Sequence, residues 1–406
     1  MITTATEKSN LELILSKMSL QTPTWLSVEF VEKVLKNSES DDSIKVKAIA
    51  TKPATVNGDN YLSDMIRVGV EYSRNKFGQD TVEKTSLIVK IAPTQAEVFE
   101  KEIKMMEDTL VKMTNLLNEK DYRLSAHVLY AEKGDPSFLV IDDLVPKGYR
   151  MADRKAGLDM QHCTVAFRGL AKFHASSVAL CEKENPDMVN KFFTDGLRML
   201  STEVDFFDSR LIFYSANIYS EKLLKLSTVC YERASECVKP KDDEFNVLNH
   251  GDCWINNMLF RYNEEGTVTD HIFVDFQVSC WTSPALDILQ FLNTSASDDV
   301  YMHHRTALIE EYLNVLTKTM ARLGCKTKPP SMADLQKSLE DHEFLSVLMS
   351  TLGLAFALMD KCESNNIGDI VQANGTNVHQ AYRTKTYCKM MLKRLNDWNS
   401  RGLIDA

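Results

Sequence analysis

Apolar and polar positions alternate strongly in the first third of the chain and follow a helical period afterwards. Ile66, Val68, Val70 and Tyr72 alternate with polar neighbours, the spacing of a half-buried strand. The same reading predicts strands over 46–51, 64–73, 86–91, 126–132 and 137–141, with Asn57-Gly58-Asp59-Asn60 and Lys133-Gly134-Asp135-Pro136 as turns. Two short amphipathic segments, 11–20 and 28–36, precede the first strand. Between the third and fourth strands Phe99, Ile103, Met106, Leu110, Met113 and Leu117 recur at three- and four-residue steps, which predicts one long helix. On that helix Glu102 lies about 60° from the centre of the apolar stripe and Glu100 about 100° from it on the other side. Beyond residue 143 helices are expected over 157–180, 186–200, 205–238, 287–293, 301–323, 332–359 and 378–396. They are interrupted by a hairpin, 258–262 and 269–274, around Asn263-Glu264-Glu265-Gly266. A length of 406 residues exceeds what one hydrophobic core serves well. The expected fold is therefore α+β with two lobes: 1–143, a small antiparallel sheet with one long helix, and 144–406, larger and mainly helical.

Charge and cysteine usage narrow the partners. A net charge of -10 argues against nucleic acid or an anionic membrane, so a bound anion must be held by local groups. The nine cysteines form no Cys-x-x-Cys pair, which suits reduced thiols in the cytoplasm better than a disulfide framework or a zinc site. The N-terminus lacks the basic segment and apolar core of a signal peptide. The most apolar run, 344–359, carries Ser346, Ser350 and Thr351 and is too short to span a membrane, so it is expected to be a buried core helix. A monomer is expected.

The chemistry concentrates in 245–287. His250, Asp252 and Asn257 form the pattern His-x-Asp-x-x-x-x-Asn, and Asp275 closes the apolar run that follows. If the hairpin turns near Glu265 and Gly266, antiparallel pairing sets Asn257 opposite Val274 or Asp275, so two oxygen ligands meet at one end of it. Magnesium takes such ligands and fills its remaining positions with water and phosphate. Asp252 is then free to accept the proton of an attacking hydroxyl, with His250 orienting the loop. Taken singly, Asp252 could be a turn cap and Asp287 the cap of the following helix; together, the residues read as an active site with Asp287 bracing the loop. His174, on an apolar face, reads as a satisfied core histidine. Asp298, Asp299, His303 and His304 read as a helix start and its solvated face.

Upstream, Lys90 interrupts the apolar strand Leu87-Ile88-Val89-Lys90-Ile91. It is either an edge residue facing water or a buried cation needing a partner. Glu102 is the acid best placed to supply that partner, unless it is a solvated helix charge. The turn at Gly58 could offer backbone N–H groups to phosphates. Asp142-Asp143-Leu144 reads as the hinge between the lobes.

These segments resemble the ecdysteroid kinase-like family of insects, within the aminoglycoside phosphotransferase and choline kinase group. The resemblance rests on Gly58-x-Asn60-Tyr61, Leu87-Ile88-Val89-Lys90, Phe99-x-x-Glu102, Val140-Ile141-Asp142-Asp143-Leu144, Leu170-Ala171-x-Phe173-His174-Ala175, His250-Gly251-Asp252-x-Trp254-x-x-Asn257 and Val274-Asp275-Phe276-Gln277. It implies a protein kinase-like two-lobed fold with ATP and Mg2+ as cofactors. A small-molecule alcohol is the implied acceptor, an ecdysteroid hormone or a xenobiotic undergoing detoxification. Lys90, Glu102, Gly58, Asn60, Asp142 and Asp143 are implied at the nucleotide, Asn257 and Asp275 at the metal, and Asp252 and His250 in catalysis. Trp254 stands where a protein kinase has a lysine touching the transferred phosphate. Two rivals follow from the same residues. A pseudokinase that only binds small molecules leaves intact catalytic positions unexplained, and a metal-dependent hydrolase gives Lys90 and Glu102 no task.

Overall fold

The computed structural model describes residues 22–54, 64–92, 96–184, 219–359 and 382–406. The segment 11–20, the expected turn with Gly58 and Asn60, the helix expected over 186–200 and the starts of those expected over 205–238 and 378–396 lie outside them. The chain divides into two compact units, 1–96 with 127–146, and 97–126 with 147–406.

In the first unit helix α1, Val28–Glu39, starts at Ser27, whose hydroxyl accepts Phe30 N–H, and ends at Ser40 in the left-handed region. It packs on a five-stranded antiparallel sheet of order β1-β2-β3-β5-β4, built from Lys45–Pro53, Asp64–Lys76, Gln79–Ile91, Val128–Glu132 and Phe138–Asp142. Alternation decides the faces. Val31, Val34 and Leu35 of α1 form one core with Ile66, Val68, Val70, Tyr72, Leu87 and Val89, and Trp25 stacks on Phe138 at 4.1 Å. Lys90, next to Val89, therefore points to the opposite face. It pairs with Met65 on one side and Leu139 on the other, so it sits mid-sheet and is only 4% exposed. Of the two readings of Lys90, the buried cation holds and the edge residue falls.

The β2–β3 hairpin runs further than its apolar half indicates. Its outer arm is held by charged and polar pairs, Lys76–Glu83 at 2.6 Å, Lys84–Glu71 at 3.2 Å and Tyr72 Oη donating to Glu83 at 3.0 Å. It closes through Phe77 and Gly78, both at positive φ, as a two-residue turn requires.

The second unit is mainly helical. The helix expected over 99–117 is one continuous helical run in which a π turn, Met105–Thr109, joins α2, Ala96–Lys104, to α3, Leu110–Leu117. The extra residue of the π turn buries both Met105 and Met106. The two-residue strand β6, Tyr149–Arg150, leads into the long helix α4, Met160–Glu184. Next come α5, Ser220–Ser227, and α6, Cys230–Cys237, two helices where one was expected. The strands β7, Val247–Asn249, β8, Met258–Tyr262, β9, Val268–Phe273, and β10, Cys280–Thr282, form two small antiparallel sheets, β6-β8-β9 and β10-β7.

The remaining helices are α7, Ala285–Thr294, α8, Asp298–His303, α9, Arg305–Leu323, α10, Met332–Asp341, α11, Phe344–Thr351, α12, Gly353–Leu358, and α13, Lys385–Ser400. The predicted helix 301–323 is broken at His304. The run 332–359 is three helices: α10 ends at His342, whose Nδ1 donates to Ser338 O at 2.7 Å beside its own backbone N–H, and Leu352 separates α11 from α12. Arg154 collects the carbonyls of Phe356 and Ala357 where α12 ends. All of α7 is buried. His303 bonds Asp299 on an exposed turn, and no cluster of metal-binding side chains occurs among the described residues. No described helix is long and apolar enough to cross a membrane.

Candidate active site

The second unit assembles its site on one loop, one hairpin and one buried helix. The β8–β9 register pairs Met258 with Phe273, and Val274 N–H donates to Asn257 O at 3.0 Å. Asn257 thus faces Val274, as equal distance from a turn at Gly266 requires, and Asp275 follows immediately. Asp275 adopts φ +70, a left-handed backbone that Asp tolerates better than most residues. Its backbone thereby turns off the strand at once.

The loop between β7 and β8 is held from below by Asp287 on α7. Oδ2 accepts His250 N–H at 2.6 Å and Oδ1 accepts Gly251 N–H at 2.9 Å. Asp287 is not the helix cap, which falls on Pro284, so the bracing reading stands. His174 Nε2 lies 3.1 Å from Asp287 Oδ2, and its Nδ1 lies 2.8 Å from Tyr312 Oη. A carboxylate on Nε2 fixes the proton there, so Nδ1 accepts the tyrosine hydroxyl. His174 is fully buried and satisfied, as expected, and it also backs the residue that braces the loop.

Gly251, at φ +83, is required twice: a Cβ here would meet Val278 O at 2.2 Å, and its backbone lies in the region that disfavours side chains. His250 Nδ1 accepts Asp252 N–H at 3.3 Å, so Nε2 carries the proton and donates to Val274 O at 3.1 Å. That ring ties the loop to the last bond of the hairpin, the orienting task read from sequence. His250 is packed between Phe273 and Phe276, with ring centroids at 5.4 and 4.8 Å.

Both oxygens of Asp252 are taken by amides. Asn257 Nδ2 donates to Oδ2 at 2.7 Å and to Asp252 O at 3.0 Å, and Gln290 Nε2 donates to Oδ1 at 3.0 Å. With its amide nitrogen so engaged, Asn257 has only its Oδ1 left to offer. Gln290 was missed in the sequence: it sits one turn beyond Asp287 in an apolar helix, and that spacing was its only signal. Cys253, beside Asp252, is no nucleophile, because burial holds its thiol well above the usual range, with Asp287 and Asp252 adding to the effect.

The other predicted residues fall as follows. Glu102 lies on α2 and is 1% exposed, which overturns the solvated-charge alternative; Glu100 is exposed. Lys90 belongs to the first unit and Glu102 to the second. Asp143 is occupied within the first unit: it accepts Arg67 Nε at 2.6 Å, Ser86 Oγ at 2.7 Å and Val145 N–H at 3.1 Å. Asp142 Oδ1 accepts His127 N–H at 2.6 Å.

An antiparallel sheet carrying a buried lysine in one unit, and a His-x-Asp-x-x-x-x-Asn loop running into a hairpin that ends in an acid in the other, define a protein of the kinase-like class. The profile of the ecdysteroid kinase-like family matches residues 57–325, and the chain belongs to that family. Among solved structures it is similar to an ethanolamine kinase of Plasmodium vivax, with 11% identity over 96% of this chain and 97% of that one and a TM-score of 0.46. It is also similar to an ADP-bound aminoglycoside phosphotransferase, with 15% identity over 88% of this chain and 98% of that one and a TM-score of 0.38. A search of curated proteins returns no match.

Proposed function

We propose that the chain is an ATP- and Mg2+-dependent kinase that passes the γ-phosphate to a hydroxyl of a small molecule, an ecdysteroid or a xenobiotic alcohol. The observation that carries this reading is the carboxylate of Asp252, clamped at 2.7 Å by Asn257 beside the hairpin end where Asp275 leaves the strand. In the step we assign to it, Asp252 takes the acceptor's proton as the acceptor oxygen bonds to the γ-phosphorus and the bond to the ADP oxygen breaks. Positioning and charge neutralisation carry most of such a transfer, so few side chains suffice.

The donor set suits magnesium. Asn257 Oδ1 and the Asp275 carboxylate are hard oxygens, and two protein ligands leave positions for water and phosphate. Bound there, the ion would neutralise charge on the phosphates. Lys90, a buried cation on a central strand, is assigned to the nucleotide phosphates and Glu102 to orienting it. Gly58 and Asn60, and the segment Asp142-Asp143, are assigned to the nucleotide from the family resemblance. The described cysteines are free thiols, which fits a cytoplasmic setting.

The metal assignment is tested by Asp275→Ala. Nucleotide affinity should drop severalfold with Mg2+ present and be unchanged in EDTA, read by calorimetry; an equal loss in both conditions would remove Asp275 from the metal.

A further inference from the structure

Gln290 is buried on α7, and its amide spans two parts of the loop. Its Oε1 accepts Cys253 N–H at 2.9 Å and its Nε2 donates to Asp252 Oδ1 at 3.0 Å. The orientation is not free: the oxygen must face the backbone donor, which forces the NH2 toward the carboxylate. A carboxylate rotates easily about its last torsion, so one amide at Oδ2 does not fix its plane. A second amide at Oδ1 does. Gln290 follows Asp287 by three residues, which sets both on one side of α7. One buried helix thereby holds the loop's backbone through Asp287 and its reactive side chain through Gln290.

We propose that Gln290 is a positioning residue for phosphoryl transfer, setting the angle at which Asp252 meets the acceptor hydroxyl; this rests on the kinase reading above. The rival is a packing role in which Gln290 only satisfies Cys253 N–H. Gln290→Glu separates the two. It keeps an acceptor for Cys253 N–H but turns an ionised oxygen toward Asp252.

The test compares wild type, Gln290→Glu and Gln290→Met, the last keeping the volume without charge. The probe is ADP release from Mg-ATP, with a panel of ecdysteroids, cholines and plant phenols as acceptors and water as background. At pH 8 both variants should lose about tenfold to a hundredfold in kcat with KM for ATP within about twofold of wild type. A packing role predicts a different order: Gln290→Glu, which keeps the bond to Cys253 N–H, stays within about twofold of wild type in kcat while Gln290→Met falls. Equal kcat in all three proteins overturns the proposal. So does a Gln290→Glu kcat within about twofold of wild type beside a loss in Gln290→Met, which is the packing result. A wild type that releases no ADP with any acceptor sinks the kinase reading, and the role of Gln290 falls with it.

Discussion

Asp287→Asn removes half of a carboxylate that the loop uses in full. Oδ2 serves His250 N–H at 2.6 Å and His174 at 3.1 Å, and Oδ1 serves Gly251 N–H at 2.9 Å. An amide has one acceptor oxygen, so in either orientation its NH2 confronts a backbone N–H. The less damaging orientation keeps His250 and His174 and abandons Gly251. A lost charge-assisted bond is worth ~1.5–3 kcal/mol and a buried unmet amide ~1–3 kcal/mol; the two overlap, so the destabilisation is about 3 kcal/mol. Equilibrium urea unfolding reads that difference, and amide exchange across 250–254 reads where it falls. The loop should exchange faster than the strands beside it, and phosphoryl transfer should slow by about a hundredfold, because its side chains lose their mount. An unfolding midpoint within about 0.5 kcal/mol of wild type, with Gly251 as protected as before, would refute the bracing argument.

Two further outcomes follow from one close contact. Gly169, inside α4, would place a Cβ 1.9 Å from His271 Cε1, and that ring is held edge-on to Phe273 at 4.5 Å. Gly169→Ala, normally favourable in a helix by about 1 kcal/mol, should therefore destabilise by about 3 kcal/mol, and His271→Ala in the same chain should recover most of the loss in thermal unfolding. Burial lowers the His271 pKa to about 4, with Asp270 opposing and Lys172 and His250 adding. Between about 4 and the ordinary value near 6.5 the unfolded chain binds more protons, so stability is full above pH 6.5 and falls as pH drops. The loss is on the order of 2 kcal/mol at pH 5, and His271→Phe should flatten that slope in urea titrations from pH 7 to pH 5.

The hairpin and the loop were legible because both obey short-range rules. Pairing from a turn fixes partners by counting, and Asn257 does face Val274. The β2–β3 extension was not legible, because 79–85 is polar and is held by cross-strand charges instead of a core. Helix breaks at His304, His342 and Leu352 escaped notice because the apolar period runs through them. At His342 the ring Nδ1 and the backbone N–H both donate to Ser338 O, an arrangement that no apolar period signals. Lys90 gave two readings in the sequence, and only the neighbouring strands β2 and β5 decided between them. Gln290 carries only its spacing from Asp287 as a signal, and a glutamine in an apolar helix has no meaning until the loop it touches is folded against it.

The central claim is that Asp252 aims an alcohol at a terminal phosphate. Incubating the protein with Mg-ATP and the acceptor panel, with mass spectrometry reading a phosphate added to the acceptor, tests it most directly. At least one alcohol should gain a phosphate with wild type, and Asp252→Ala should cut that transfer by orders of magnitude while leaving Mg-ATP binding largely intact. Transfer by Asp252→Ala at the wild-type rate would contradict the account.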